Sequence, residues 1–404
     1  MLETQLYFTF KDLFRAPRLA LGRRTLVMLE ALLAAYVAYL SMTYLALLAE
    51  GYSFGSIWND FHLMPSCIMC VVSTGIAKVF MVLAYVFSAI AIGLGATAVA
   101  KITIKEYKGN LFYSSKDGWN WAFKNWFPVF FGPISIAITI SFFVILAGIF
   151  GWLAQWPVLD ILLFGFLFVI FLPTTLFLVY SLLALVTGLF MSPSIVACAE
   201  EDTMGSMFGS YTLLWNQPAR LISYTLIVAA LAFFGYHIFY VFILSAFKLI
   251  DMVFGHAGIM GETYIAIKQV GLDLFGNFNF LPTYYELPSC LIPFCDAAAG
   301  CGACGSGSGG CGGCVTAHVA SSPTITQAIS GVLVGFTSLL AYLAVPAYAL
   351  ATLATGFATS FTVLTMHKDK QDLVARKDDD ERAEEEAEKE NQAETSELKA
   401  DEEE

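Results

Sequence analysis

The chain has 404 residues, of which 58% are hydrophobic and only 13% charged, and this composition excludes an ordinary soluble globular protein. Its formal net charge of −12 comes mostly from residues 367–404, so it describes a tail rather than a surface, and no nucleic-acid partner is expected. Six stretches, 25–49, 72–99, 129–150, 159–190, 221–247 and 328–365, are long enough to cross a bilayer, which takes roughly 20 apolar residues.

The start of the chain, residues 1–24, is amphipathic and basic, and the apolar run after it lacks a small-residue cleavage pattern. No cleavable leader is expected there. Lys11, Arg15, Arg18, Arg23 and Arg24 precede the first span. Lys101, Lys105, Lys108, Lys116 and Lys124 precede the third, Arg220 precedes the fifth, and seven more basic residues follow the sixth. Eighteen of the 21 Lys and Arg residues therefore fall in alternate loops, while the intervening loops hold only Lys268 and the ends of spans hold Lys78 and Lys248. Basic residues stay on the cytoplasmic side. The expected protein is all-α and integral to the membrane, with six transmembrane helices and both termini inside.

Ahead of each odd-numbered span lies a short aromatic segment followed by a proline: Phe10 to Arg15 with Pro17, Trp119 to Trp126 with Pro128, and Tyr211 to Gln217 with Pro218. Apolar residues recur there at helical spacing, which predicts three amphipathic helices lying in the cytoplasmic interface. Two even-numbered runs, 159–196 and 324–366, are overlong and carry Pro173 and Pro346 near their middles. A hairpin at Pro346 would need a polar turn, and Leu343-Ala344-Val345-Pro346-Ala347-Tyr348 supplies none, so long kinked helices are expected. The organisation that follows is a cytoplasmic segment 1–24, five spans within 25–250, an external Cys/Gly-rich loop 251–327, a sixth span 328–366 and an acidic cytoplasmic tail 367–404. From Asp378 onward the tail has no apolar face and reads as solvated and disordered.

The stretch Ser192-Pro193-Ser194-Ile195-Val196-Ala197-Cys198-Ala199-Glu200-Glu201-Asp202, followed by Ser206 to Leu214 and Pro218-Ala219-Arg220, ends a span in a small-residue and acidic turn and leads into the next. It resembles the membrane-anchor domain found with some bacterial glycerophosphodiester phosphodiesterases and with related polytopic families of no assigned activity. The resemblance covers residues around 165–245, with a fainter echo at 95–145. It implies a bacterial inner-membrane protein. The catalytic phosphodiesterase domain has no counterpart here, so that activity is not implied.

The most chemically pointed segment is the run from Cys290 to Cys314, which holds Cys290, Cys295, Cys301, Cys304, Cys311 and Cys314 among glycines. With Cys67 and Cys70 it puts eight cysteines on the side assigned as external, and Cys198 alone inside. Thiols so placed are expected to be disulfides, of which eight cysteines allow 105 pairings. Two alternatives remain open. Cys301, Cys304, Cys311 and Cys314 form two CxxC pairs that could hold zinc or an iron–sulfur cluster, since glycine lets the backbone converge four sulfurs. Cys67 and Cys70 could instead exchange disulfides with the loop. No other cofactor is expected.

Charged residues within spans are few. Lys78, Asp160 and His237 fall at similar depth toward the external side and are the candidates for a polar patch beneath the cysteine loop. No HExxH, GxSxG or paired intramembrane carboxylate occurs, so no catalytic residue is assigned and an enzyme is not expected. Three functions follow as expectations: a structural, assembly or accessory subunit in contact with lipid and other membrane subunits; a small-solute permease, for which Thr139, Thr174, Thr175 and Ser181 are the available polar lining; or a metal or thiol-redox protein acting through the external loop.

Overall fold

The computed structural model describes residues 6–64, 71–156, 168–256, 258–275, 323–378 and 382. Among them every regular element is helical. After a 3-10 segment Phe10–Arg15 come α1 (Ala16–Ala20), α2 (Arg23–Glu50), α3 (Phe54–Phe61), α4 (Gly75–Tyr107), α5 (Ser115–Lys124) and α6 (Trp126–Leu153). These are followed by α7 (Phe168–Ala199), α8 (Thr203–Asn216), α9 (Pro218–Phe254), α10 (Glu262–Asp273) and α11 (Ile325–Asp369). Six of these, α2, α4, α6, α7, α9 and α11, are long and apolar enough to cross a membrane.

Local chemistry sets the helix ends. Ser114 caps α5, its hydroxyl accepting from the Asp117 amide while the Asp117 carboxylate accepts from the Ser114 amide, a reciprocal capping box. Asp202 caps α8 by accepting from the Gly205 amide at 2.7 Å. Pro218 opens α9, where its missing N–H costs nothing. Gly109, at φ +91°, turns the chain out of α4 in a conformation that a side chain would resist.

The helices depart from the sequence expectation in instructive ways. The long helix expected over 324–366 is present, as one continuous helix Ile325–Asp369 of 45 residues that passes through Pro346 and runs on three residues further. At 1.5 Å per residue it is about 68 Å long, more than twice the hydrocarbon thickness. The segment expected at Trp119 to Trp126 divides: α5 stops at Lys124, and Trp126 already begins α6. The segment expected at Tyr211 to Gln217 is the last part of the longer α8. α9 runs on to Phe254, past the expected end of the fifth span at 247, and α10 occupies part of the region assigned wholly to a loop.

By internal packing the chain forms two compact units, one of residues 1–27, 93–231 and 351–404 and one of residues 28–92 and 232–350. In the first unit a core of Leu13, Ala100, Ile104, Ile195, Leu213, Val228, Phe361 and Leu373 is closed by small-residue contacts between helices. A Cβ on Gly356 would come within 2.5 Å of Val228, and one on Gly132 within 2.6 Å of the Ser206 hydroxyl. Backbones approach closely where side chains are absent, as at interfaces between membrane helices. In the second unit Gly271 of α10 lies against Gly331 and Gly335 of α11, with a Gly271 Cβ only 2.9 Å from the Gly331 carbonyl. Asp251 there accepts from Lys268 at 2.8 Å, which ties the end of α9 to α10.

Candidate functional site

α4 ends in Lys101-Ile102-Thr103-Ile104-Lys105-Glu106-Tyr107, and Lys108 follows one residue past its end. Lysines spaced i, i+4 and i+7 share one helical face. Like charges so placed destabilise a helix unless something neutralises them. In the first unit the neutralising group comes from far along the chain. The Asp378 carboxylate takes Lys105 at 2.8 Å and Lys101 at 3.3 Å on Oδ2, and Lys108 on Oδ1. Glu200, just past the end of α7, takes Lys101 at 2.5 Å. All five side chains are enclosed, Lys101 completely so.

Two aromatic rings complete the enclosure. Trp121 of α5 stands with its ring centroid 4.6 Å from the Lys101 ammonium, and Tyr113 lies 6.0 Å from that of Lys105. Ring faces attract cations while excluding water. Burial works against the charged form of Asp378, but Lys101, Lys105 and Lys108 outweigh it and carry the carboxyl down to about 2. Beside this cluster Arg24 pairs with Glu106 at 2.8 Å, and the Tyr107 hydroxyl lies 2.8 Å from that of Thr359.

The carboxylates are positioned by the backbone. Glu200 has φ +53°, the left-handed conformation that ends α7, and Lys370 at φ +54° likewise turns the chain out of α11. From Lys370 the chain runs back over the first unit as a non-helical strap. Leu373 fills the core, Asp372 accepts from the Val374 amide at 2.9 Å, and Lys108 donates to the Arg376 carbonyl. Between the strap and α8 lies a recess of roughly 100 Å³, bordered by Glu201, Thr212, Lys368, Gln371 and Arg376 and floored by Gly205 and Gly209.

The sequence reading put Asp378 at the start of a solvated tail. That residue is instead buried in the lysine cluster, because three ammonium groups more than recover its lost hydration. In the sequence, Lys101, Lys105 and Lys108 serve only as markers of orientation. Their spacing on one face was the signal available in the sequence; the partner Asp378 lies 277 residues beyond Lys101 and carried none. Of the polar-patch candidates, Lys78 and His237 are described and Asp160 is not. His237 Nδ1 faces the Phe233 carbonyl of its own helix at 2.8 Å, and among the described residues no hydrogen bond or ion pair joins it to Lys78. Cys67, Cys70, Cys290, Cys295, Cys301, Cys304, Cys311 and Cys314 all lie outside the described residues, whereas Cys198 is a free thiol buried in the core of the first unit.

Compared with known proteins, the chain matches no family model, no curated protein and no solved structure.

Proposed function

We propose that this chain is a non-enzymatic polytopic membrane protein serving as a structural, assembly or accessory subunit, with the lysine-rich ends of its spans and both termini on the cytoplasmic side. The observation that carries this reading is the uneven cover of the spans. Only 6% of the most apolar window of α6 and 11% of that of α7 is buried by the chain itself, against 28% for α2 and α11. Phe142, Ile145, Ile149, Val169, Leu172 and Leu176 on those two helices are exposed. Helices so bare present wide packing surface to lipid and to neighbouring subunits.

The buried polar groups support the same reading. Thr359, Ser360, Thr362 and Thr365 of α11 each donate to the carbonyl four residues back on their own helix, which spends their hydroxyls on packing rather than on a solute. The external thiols are assigned as disulfides that hold a glycine-rich loop without a core of its own. Purification under mild detergent, with identification of stoichiometric companions, tests the main reading: a defined membrane partner supports it. A lone monomer that conducts small solutes in proteoliposomes would establish the permease instead. Thiol counting before and after reduction, with elemental analysis, tests the loop; free thiols with bound zinc or iron would move function to Cys301, Cys304, Cys311 and Cys314.

A further inference from the structure

We propose that the recess between α8 and the strap is a binding site for a phosphoethanolamine group, a primary ammonium joined to a phosphate by a short alkyl bridge. The site is separate from the lysine cluster and independent of the subunit role proposed above.

The rim of the recess carries both signs of charge. The turn before α8 contributes Glu201, while the end of α11 and the strap contribute Lys368 and Arg376. The Glu201 carboxylate folds over the first turn of α8, where a Cβ on Gly205 would collide with its Oε2. Among the described residues the Glu201 carboxylate and the Arg376 guanidinium bond neither each other nor a third group, whereas Lys368 has contacts of its own. A plain anion is repelled by Glu201, and a plain cation by Arg376 and Lys368. A zwitterion satisfies both: its phosphate takes the Arg376 fork and its ammonium takes Glu201, each through charge-assisted hydrogen bonds. The Thr212 and Thr365 hydroxyls give their protons to the Gly209 and Phe361 carbonyls, so beside the recess their oxygens can only accept, as an ammonium requires. Ile195, Leu213, Phe361 and Leu373 supply the apolar lining that an alkyl bridge needs.

The site is formed before any ligand arrives. Leu373 is buried in the core, the Arg376 amide donates to the Asp372 carbonyl at 3.1 Å, and the Arg376 carbonyl accepts from Lys108. Further on, the Asp378 carbonyl accepts from the Arg382 amide at 2.9 Å, so the strap is a fixed wall. The roughly 100 Å³ of the recess is below what a drug-sized ligand fills and suits a headgroup. The recess lies at the end of α11, whose 45 residues outlast the hydrocarbon. Its charged rim would be costly inside that layer, which places it at headgroup depth. The phosphoethanolamine group reaches it either on a lipid or as a soluble ester, since both present the same chemistry.

The test uses the full-length protein in a sugar-headgroup detergent and in nanodiscs. O-phosphoethanolamine, phosphocholine, ethanolamine and inorganic phosphate are titrated calorimetrically in detergent. Phosphatidylcholine nanodiscs with and without phosphatidylethanolamine are compared by hydrogen exchange of residues 201–212 and 368–376. O-phosphoethanolamine should bind about tenfold more tightly than each of the other three, because it alone offers both an ammonium with N–H donors and a phosphate. Exchange across both segments should slow when phosphatidylethanolamine is present. Glu201→Gln and Arg376→Gln should each weaken O-phosphoethanolamine by about tenfold and abolish the slowing. Arg376→Gln should also weaken inorganic phosphate, whereas Glu201→Gln should not. Both variants should keep the native unfolding temperature, since neither side chain has a partner in the fold. A response to O-phosphoethanolamine identifies a soluble ester, and a response confined to phosphatidylethanolamine nanodiscs identifies a headgroup. Equal affinity for phosphocholine and O-phosphoethanolamine, unchanged responses in both variants, or no response in either medium overturns the inference.

Discussion

At the scale of single residues, Lys101 is the position where burial and charge meet most severely. Breaking a buried ion pair by removing one member costs about 3–5 kcal/mol, because the other member is left charged and dry. Lys101→Met should therefore lower thermal stability in detergent by an amount of that order. Lys101→Met combined with Glu200→Gln should recover more than about 1 kcal/mol of it, and strictly additive losses would show that the two are uncoupled. Asp378 gives a second expectation. Its carboxyl titrates at about 2 in the folded chain against an ordinary 3.8, so its contribution to docking is complete above the ordinary value and disappears as pH falls through the folded one. Pepsin should cut near Leu373 faster at about pH 2 than at about pH 4, relative to an unstructured reference peptide. Asp378→Asn should erase that difference; a pH response that survives the substitution would assign it elsewhere.

At the scale of elements, the glycines separate helix surfaces that touch from those that do not. A methyl added at Gly132 meets Ser206, whereas one added at Gly148 on the same helix meets nothing within 4 Å. Gly132→Ala should cost about 1–3 kcal/mol by overpacking, and Gly148→Ala should be neutral or stabilise by up to about 1 kcal/mol through helix propensity. Equal thermal shifts for the two would refute the packing described for α6 against α8. Elements of this kind were legible in the sequence to the extent that one-dimensional pattern dictates them. All six spans follow from apolar length, and the continuity of α11 follows from the missing polar turn at Pro346. The starts of α5 and α8 were less legible, because capping by Ser114 and Asp202 extends both helices upstream of their aromatic segments. The lysine cluster was half legible: α4 shows its ladder, but a partner on a strap far along the chain leaves no local trace.

At the scale of the whole molecule, charge is segregated. Of the described Lys and Arg residues, sixteen belong to the unit built from 1–27, 93–231 and 351–404 and three to the other. That partition comes from packing alone, yet it reproduces the alternation of basic loops along the chain. A reporter active only outside the cytoplasm should accordingly be silent when fused after Asn110 and active when fused after Gly55. Activity after Asn110 would invert the proposed orientation.

One consequence of the Asp378 contact concerns biogenesis. The ribosome makes Lys108 270 residues before Asp378, so a nascent or prematurely stopped chain presents Lys101, Lys105 and Lys108 without that shared carboxylate until the strap emerges. Only translation through Asp378 can close that gap. The finished fold thus carries a check on its own completion, and products truncated upstream of the strap should be cleared by membrane proteases faster than those truncated just after it.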